Sequence, residues 1–270
     1  MHQFNTISEI RAWRKINQRV AFVPTMGSLH AGHCQLVREA KKYADKVIVS
    51  IFVNPTQFGI NEDFSTSPRT ETQDCELLTA EGCDAVFLPN TEMIYGPNFQ
   101  TSVSVSQVSQ NYCGASRAGH FDGVATVVCK LFNIIQPDVA VFGLKDFQQF
   151  AVIEAMTRDL HLPIEVIGVP TVRELDGLAM SSRNFYLNEK EREIAPHFYR
   201  ILQKARENLA TKTIANVEKK AILELTNVGF VVDYFSVVRR FDLKLATEND
   251  GDLIILAAVK LGKTRLIDNL

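Results

Sequence analysis

Two histidines, His30 and His33, stand three residues apart in the string PTMGSLHAGH at residues 24–33. Residues at this spacing share one face of a helix, so both imidazoles can address a single ligand. An imidazole N–H aimed at phosphate oxygens stabilises charge that develops at phosphorus. Gly27 and Gly32 let the backbone approach a ligand where a Cβ would clash. The string follows the apolar run VAFVP and opens a helical pattern. Met26, Gly27, Ser28, Leu29, His30, Ala31, Gly32 and His33 thus fall at a predicted helix start, where unpaired N–H groups and the helix dipole suit phosphate. Two other readings of this string alone stay open: a tight turn with two surface histidines, and half of a zinc site. No metal-ligand set is read around it.

Three more polar strings follow apolar runs. In SIFVNPTQFG, residues 50–59, Pro55 cannot continue a strand ladder, and Gln57 carries both a donor and an acceptor, which fits a hydroxy acid. In VFGLKDFQQ, residues 141–149, Lys145 is a mobile cation suited to the β- and γ-phosphates. Asp146 there is placed to cap a helix or hold a ribose or metal, and Gln148 and Gln149 continue onto that helix. In MSSRN, residues 180–184, two hydroxyls beside Arg183 make a donor-rich loop suited to closing over a triphosphate. Each string also has a plain structural reading, as a polar loop or a helix cap with solvated side chains. Gly262, Lys263 and Thr264 imitate the end of a phosphate-binding P-loop, but position 257 is Ala, and the string reads as a turn. No G-x-G-x-x-G follows a strand, and no G-x-S-x-G occurs.

The elements that must position these groups alternate. Apolar β-branched runs at 20–24, 46–53, 84–89, 138–143 and 164–169 read as buried strands. Helical patterns lie at about 33–43, 69–80, 124–135 and 147–160. This alternation predicts an α/β fold, a Rossmann-like parallel sheet with helices on both faces. In such a sheet ligands bind past the carboxyl ends of the strands, near a topological switch point. The texture changes near 172–177. Helices at about 189–208 and 213–227, then strands at 231–238 and 252–260, predict a smaller C-terminal α+β domain.

Composition sets the outer limits. The 270 residues are 46% hydrophobic and 22% charged, which excludes a disordered, collagen-like or coiled-coil chain. Lys plus Arg is 29 and Asp plus Glu is 31, a formal net charge of −2, so no basic surplus points to nucleic acid. The five cysteines include no C-x-x-C, which points to a reducing compartment. The N-terminus lacks a signal-peptide core, and no apolar run reaches the roughly 18 residues of a membrane span. A cytoplasmic protein with no membrane partner is the expectation.

Taken in order, PTMGSLHAGH, FVNPTQFG, GHFDGVATVVCKLFNIIQPDVAVFGLKDFQQ and VRELDGLAMSSRNFYL resemble the pantoate–β-alanine ligase family, within the H-x-G-H nucleotidyltransferases. The recognisable blocks run from about residue 20 to residue 187. The resemblance implies an ATP-dependent condensation of pantoate with β-alanine to pantothenate, through pantoyl adenylate, with release of pyrophosphate and AMP. It implies ATP as substrate, Mg²⁺ with the triphosphate, and a homodimer. By the resemblance, residues 26–33 bind ATP, with His33 the proton donor and His30 its phosphate-binding neighbour. Gly143, Leu144, Lys145 and Asp146 bind ATP, with Lys145 on the phosphates, and Val172 lies against the adenine. Met180, Ser181, Ser182 and Arg183 form a mobile phosphate loop, while Gln57 and Gln149 bind pantoate and Gln57 borders the β-alanine position. An ATP- and pantoate-binding domain over 1–174 and a lid-like domain over 175–270 follow. One departure is visible: Ser67-Pro68-Arg69 stands where the family usually has Tyr-Pro-Arg. The alternative is another H-x-G-H nucleotidyltransferase that acts on a small phosphorylated substrate.

Overall fold

The computed structural model describes residues 1–59 and 70–270. Ser67, Pro68 and Arg69 lie outside the described residues. The chain divides into two units, Met1–Leu144 with Val152–Pro170, and Lys145–Ala151 with Thr171–Leu270. The sequence reading divides the chain once, after residue 174. The structure also gives residues 145–151 to the second unit.

The first unit carries β1 (His2–Phe4), α1 (Ile7–Lys15), β2 (Val20–Thr25), α2 (Ala31–Ala40), β3 (Lys46–Ile51), α3 (Glu71–Ala80) and β4 (Ala85–Phe87). It continues with α4 (Thr91–Ile94), α5 (Cys113–Ser116), α6 (His120–Ile135), β5 (Val139–Gly143) and β6 (Glu165–Val169), with α7 (Phe147–Asp159) crossing the unit boundary. The strands form one six-stranded sheet in the order β1-β4-β3-β2-β5-β6. Every pairing in it is parallel.

The strands are apolar on both faces because helices cover both. On one face Ala21, Val23, Val47, Val49 and Val141 pack with Val37 and Ala40 of α2 and Leu78 of α3. On the other, Phe22 and Phe142 meet Phe132 of α6 edge-on, with ring centroids 6.3 and 6.4 Å apart. The expected strand over 84–89 is only three residues long. The edge strand β1 was not expected: its sequence, His-Gln-Phe, has no apolar alternation, and it forms only by lying alongside β4.

The sheet order creates the site's location. From β2 the chain moves outward through β3 and β4, then returns to place β5 against the opposite side of β2. Successive connections therefore leave β2 and β5 in opposite directions. This is a topological switch point, and the loops after Thr25 and Gly143 flank it.

The second unit carries α8 (Glu189–Ile194), α9 (His197–Asn208), α10 (Ile214–Val228), β7 (Val231–Arg239), β8 (Leu253–Leu261) and β9 (Thr264–Asn269). Its three strands form an antiparallel sheet in chain order. Phe198, Leu202, Val217, Leu225, Val237 and Val259 share its core. The expected helix over 189–208 is two helices, because Pro196 has no N–H to carry the ladder across the join. Gly262 turns the chain at φ +57 between β8 and β9, where the sequence reading places a turn.

Candidate active site

The H-x-G-H loop is built by a carboxylate from elsewhere in the chain. After β2, Gly27 and Ser28 adopt φ +85 and +52, two left-handed residues in succession. Glycine accepts this freely, whereas serine is strained there. Asp74 of α3 holds the turn. Its Oδ2 accepts the Ser28 N–H at 2.9 Å and its Oδ1 accepts the Leu29 N–H at 2.8 Å. Thr70 donates its hydroxyl to Oδ2 at 3.0 Å. The carboxylate is 3% exposed, and a Cβ on Gly27 would lie 3.2 Å from it.

The two histidines then cap the helix they open. His30 is the N-cap of α2, and its Nδ1 accepts the Gly32 N–H at 3.1 Å. The Nδ1 of His33 accepts the His30 N–H at 3.2 Å. This is a reciprocal capping box in which imidazoles replace the usual hydroxyl and carboxylate. An accepting Nδ1 carries no proton, so each neutral ring bears its proton on Nε2. The rings sit 4.2 Å apart, centroid to centroid. The expectation of unpaired backbone donors is corrected here. The N–H groups of Ser28, Leu29, His30 and Gly32 already have side-chain acceptors.

Beside this loop stands Gln57. It closes a 3-10 turn, Pro55–Gln57, and is 6% exposed. Its Nε2 lies 2.9 Å from the Met26 sulfur, which joins the second polar string to the first. Its Oε1 accepts from the Asn54 side chain at 3.0 Å. Gln57 therefore presents a donor, and one of the two lone pairs of its Oε1 is taken by Asn54. Its backbone carbonyl is 2.8 Å from His120 Nδ1, while His120 Nε2 is 2.8 Å from an Arg117 nitrogen. Arginine only donates, so Nε2 accepts and Nδ1–H donates to the Gln57 carbonyl. Helix α6 reaches this turn through Gly123, where an added Cβ would meet the Thr56 carbonyl oxygen at 2.5 Å. Gly143 and Leu144 are half-buried at the end of β5.

The second unit holds the remaining expected residues. Lys145, Ser181 and Arg183 line one small cavity with Asn184, Arg265 and Asp268. Ser181 Oγ accepts the Arg183 N–H at 3.2 Å and starts the 3-10 turn Ser182–Tyr186. Met180 donates its N–H to the Val172 carbonyl at 2.9 Å, tying two expected nucleotide contacts together. Below them, Arg173 makes a two-point ion pair with buried Asp268 at 2.6 and 2.9 Å, and its guanidinium lies over the Tyr199 ring. Asn184 donates to Glu174 and to the Ala179 carbonyl, while its buried Oδ1 has no partner among the described residues. Asp146 and Ser182 are exposed, and Gln149 is half-buried on the first turn of α7.

Sequence reasoning did not assign Asp74, Asn54, Tyr95 or His120 to the site. Asp74 and Tyr95 leave no local signal, since their partners lie about forty residues away in sequence. His120 stood in view inside GHFDG, three residues before Gly123, the glycine that allows the close approach.

Among the described residues, no group of three or more His, Cys, Asp or Glu side chains could hold a metal ion. None of their helices is long and apolar enough to cross a membrane.

The family model described as pantoate-beta-alanine ligase matches residues 2–270. A pantothenate synthetase of Shewanella loihica is 53% identical over 266 residues, covering 97% of this chain and 94% of that protein. The pantothenate synthetase of Neisseria meningitidis is 53% identical over 274 residues, covering 100% and 98%. The crystal structure of pantothenate synthetase from Thermus thermophilus superposes with a TM-score of 0.95 at 42% identity, covering 100% and 99%. That of pantoate-beta-alanine ligase from Francisella tularensis, complexed with β,γ-ATP and β-alanine, gives 0.84 at 34% identity, covering 100% and 97%.

Proposed function

The chain belongs to the pantoate-beta-alanine ligase family, and from that premise we propose how its residues carry the reaction. The enzyme joins pantoate to β-alanine at the expense of ATP, forming pantothenate. In the first step a pantoate carboxylate oxygen attacks the α-phosphorus. The bond to the bridging oxygen breaks, and pyrophosphate leaves with the electron pair. In the second step the β-alanine amine attacks the acyl carbon. AMP leaves with the bridging oxygen, and the amine proton passes to solvent. Neither step needs a protein nucleophile; both need positioning and neutralisation of phosphate charge.

The contact between Gln57 and Met26 is the observation that carries this reading. It sets an amide donor beside the H-x-G-H loop, so an acid held by Gln57 has its carboxylate next to the two imidazoles. His33 gives its Nε2–H to the oxygen where charge develops, and His30 binds a neighbouring phosphate oxygen. Lys145, Ser181, Ser182 and Arg183 serve the phosphates. Gly143, Leu144, Asp146, Val172 and Met180 serve the nucleoside, and Gln149 joins Gln57 on pantoate. The acyl adenylate must be shielded from water, a role we give to the loop at 180–183. Mg²⁺ takes its shell chiefly from phosphate oxygens and water. It would arrive on the triphosphate and neutralise charge there, with at most a single carboxylate such as Asp146 added. A cytoplasmic homodimer, with a lid-like part over 175–270, completes the proposal. The alternative of a nucleotidyltransferase acting on a phosphorylated substrate is not favoured, given family membership over residues 2–270.

Isotope exchange tests the reading. Labelled pyrophosphate enters ATP only when pantoate is present, and AMP accumulates only when β-alanine is added. Exchange without pantoate overturns it.

A further inference from the structure

Asn54 is 1% exposed and sits where five groups meet. Two of them fix its amide without any choice. The Gly123 carbonyl can only accept, so Nδ2 faces it at 3.1 Å. The Thr56 N–H can only donate, so Oδ1 faces it at 3.3 Å. Nδ2 also donates to Gln57 Oε1, which turns Gln57 Nε2 outward to Met26. At Oδ1 the shortest bond comes from outside this turn: the Tyr95 phenol donates at 2.7 Å, against 3.0 Å from the Thr56 hydroxyl. The phenol has no other orientation available for this bond, since Oδ1 has no proton to give.

The ring that carries the phenol is itself held. Phe99 packs edge-on against it at 4.9 Å, Phe52 lies at 6.4 Å, and the Lys130 ammonium stands 5.7 Å over its face. Burial pushes the phenol above its ordinary value, against the pull of its bonds with Thr56 and Asn54, so it stays protonated and a donor. A chain of three side chains thus runs Tyr95 to Asn54 to Gln57, and every hydrogen bond in it points the same way.

We propose that Tyr95 is a positioning residue for the acid substrate: its O–H, through Asn54, holds Gln57 with Nε2–H facing the ligand. The proposal rests on the reading of Gln57 as the pantoate-binding group. Tyr95→Phe keeps the ring and its neighbours and removes only the donor. It leaves a buried acceptor less firmly held, and Asn54 gains freedom to lean toward Thr56.

The test is a double-mutant cycle with Gln57→Ala, read as separate KM values for pantoate and ATP, with thermal melting of each variant. Tyr95→Phe should raise the pantoate KM roughly three- to tenfold, the loss of one buried hydrogen bond. The ATP KM and the melting temperature should hold, and the variant should add nothing further in the Gln57→Ala background. A merely structural role would lower the melting temperature and move both KM values together, and that result overturns the proposal. So does an unchanged pantoate KM, or an equal effect with and without Gln57, while Gln57→Ala alone is impaired. If Gln57→Ala binds pantoate normally, the reading of Gln57 fails and the proposal falls with it.

Discussion

Asp74 accepts the backbone N–H of Ser28 at 2.9 Å across 46 positions of sequence. With its second oxygen on Leu29, it holds a turn that contains a serine at φ +52. Removing the carboxylate frees two amide protons and a strained residue together. Asp74→Ala should cost about 1–3 kcal/mol of stability, the penalty for losing such partners. Its kcat/KM should fall as the histidines lose their seat. Thermal unfolding and pyrophosphate exchange measured side by side check this, and a variant normal in both rejects it.

The histidine capping box allows capping and catalysis to be separated. Glutamine is an ordinary residue at the third position of such a box. His33→Gln should therefore preserve the start of α2 and the melting temperature. It removes the imidazole donor, so kcat should drop about 10²–10³-fold, the usual effect of deleting a donor aimed at developing charge. A stable His33→Gln with nearly normal turnover would remove His33 from the reaction.

Gly123 is where α6 meets the turn that carries Gln57. A methyl group there would lie 2.5 Å from the Thr56 carbonyl oxygen, which is backbone and cannot swing aside. Gly123→Ala should destabilise by about 1–3 kcal/mol through overpacking, and should raise the pantoate KM more than the ATP KM. Denaturant unfolding and steady-state kinetics test both parts.

Burial pushes the Cys83 thiol up to about 12. A group whose titration lies that high is protonated at pH 8 and remains so at pH 10, and the thiolate is the reactive form. Iodoacetamide at pH 8 should leave Cys83 unmodified in the folded protein and label it in denaturant, as peptide mass spectrometry would show. Labelling of the folded chain contradicts the burial.

Much of the fold was legible because burial on both faces writes continuous apolar runs. β2, β3 and β5 announced themselves in this way, and their parallel pairing followed from alternation with helices. β1 and β9 did not. His-Gln-Phe carries no strand pattern, and in Thr264–Asn269 charged residues interrupt the alternation. The candidate site divides along the same line. His30, His33, Gln57, Lys145 and Arg183 stood in contiguous strings whose chemistry can be read locally. Asp74 acts only through its distance in space from Ser28. The direction of the Gln57 amide depends on a carbonyl of α6, and no spacing in the sequence encodes that.

In the proposed reaction pantoate is activated by attack of its own carboxylate on the α-phosphorus of ATP. Pantoate labelled with ¹⁸O in the carboxylate tests it most directly, with the products of a complete turnover analysed by mass spectrometry. One labelled oxygen should appear in AMP, carried there when the amine displaces AMP from the acyl adenylate. Unlabelled AMP, or label transferred to the pyrophosphate or to free phosphate, would rule that attack out.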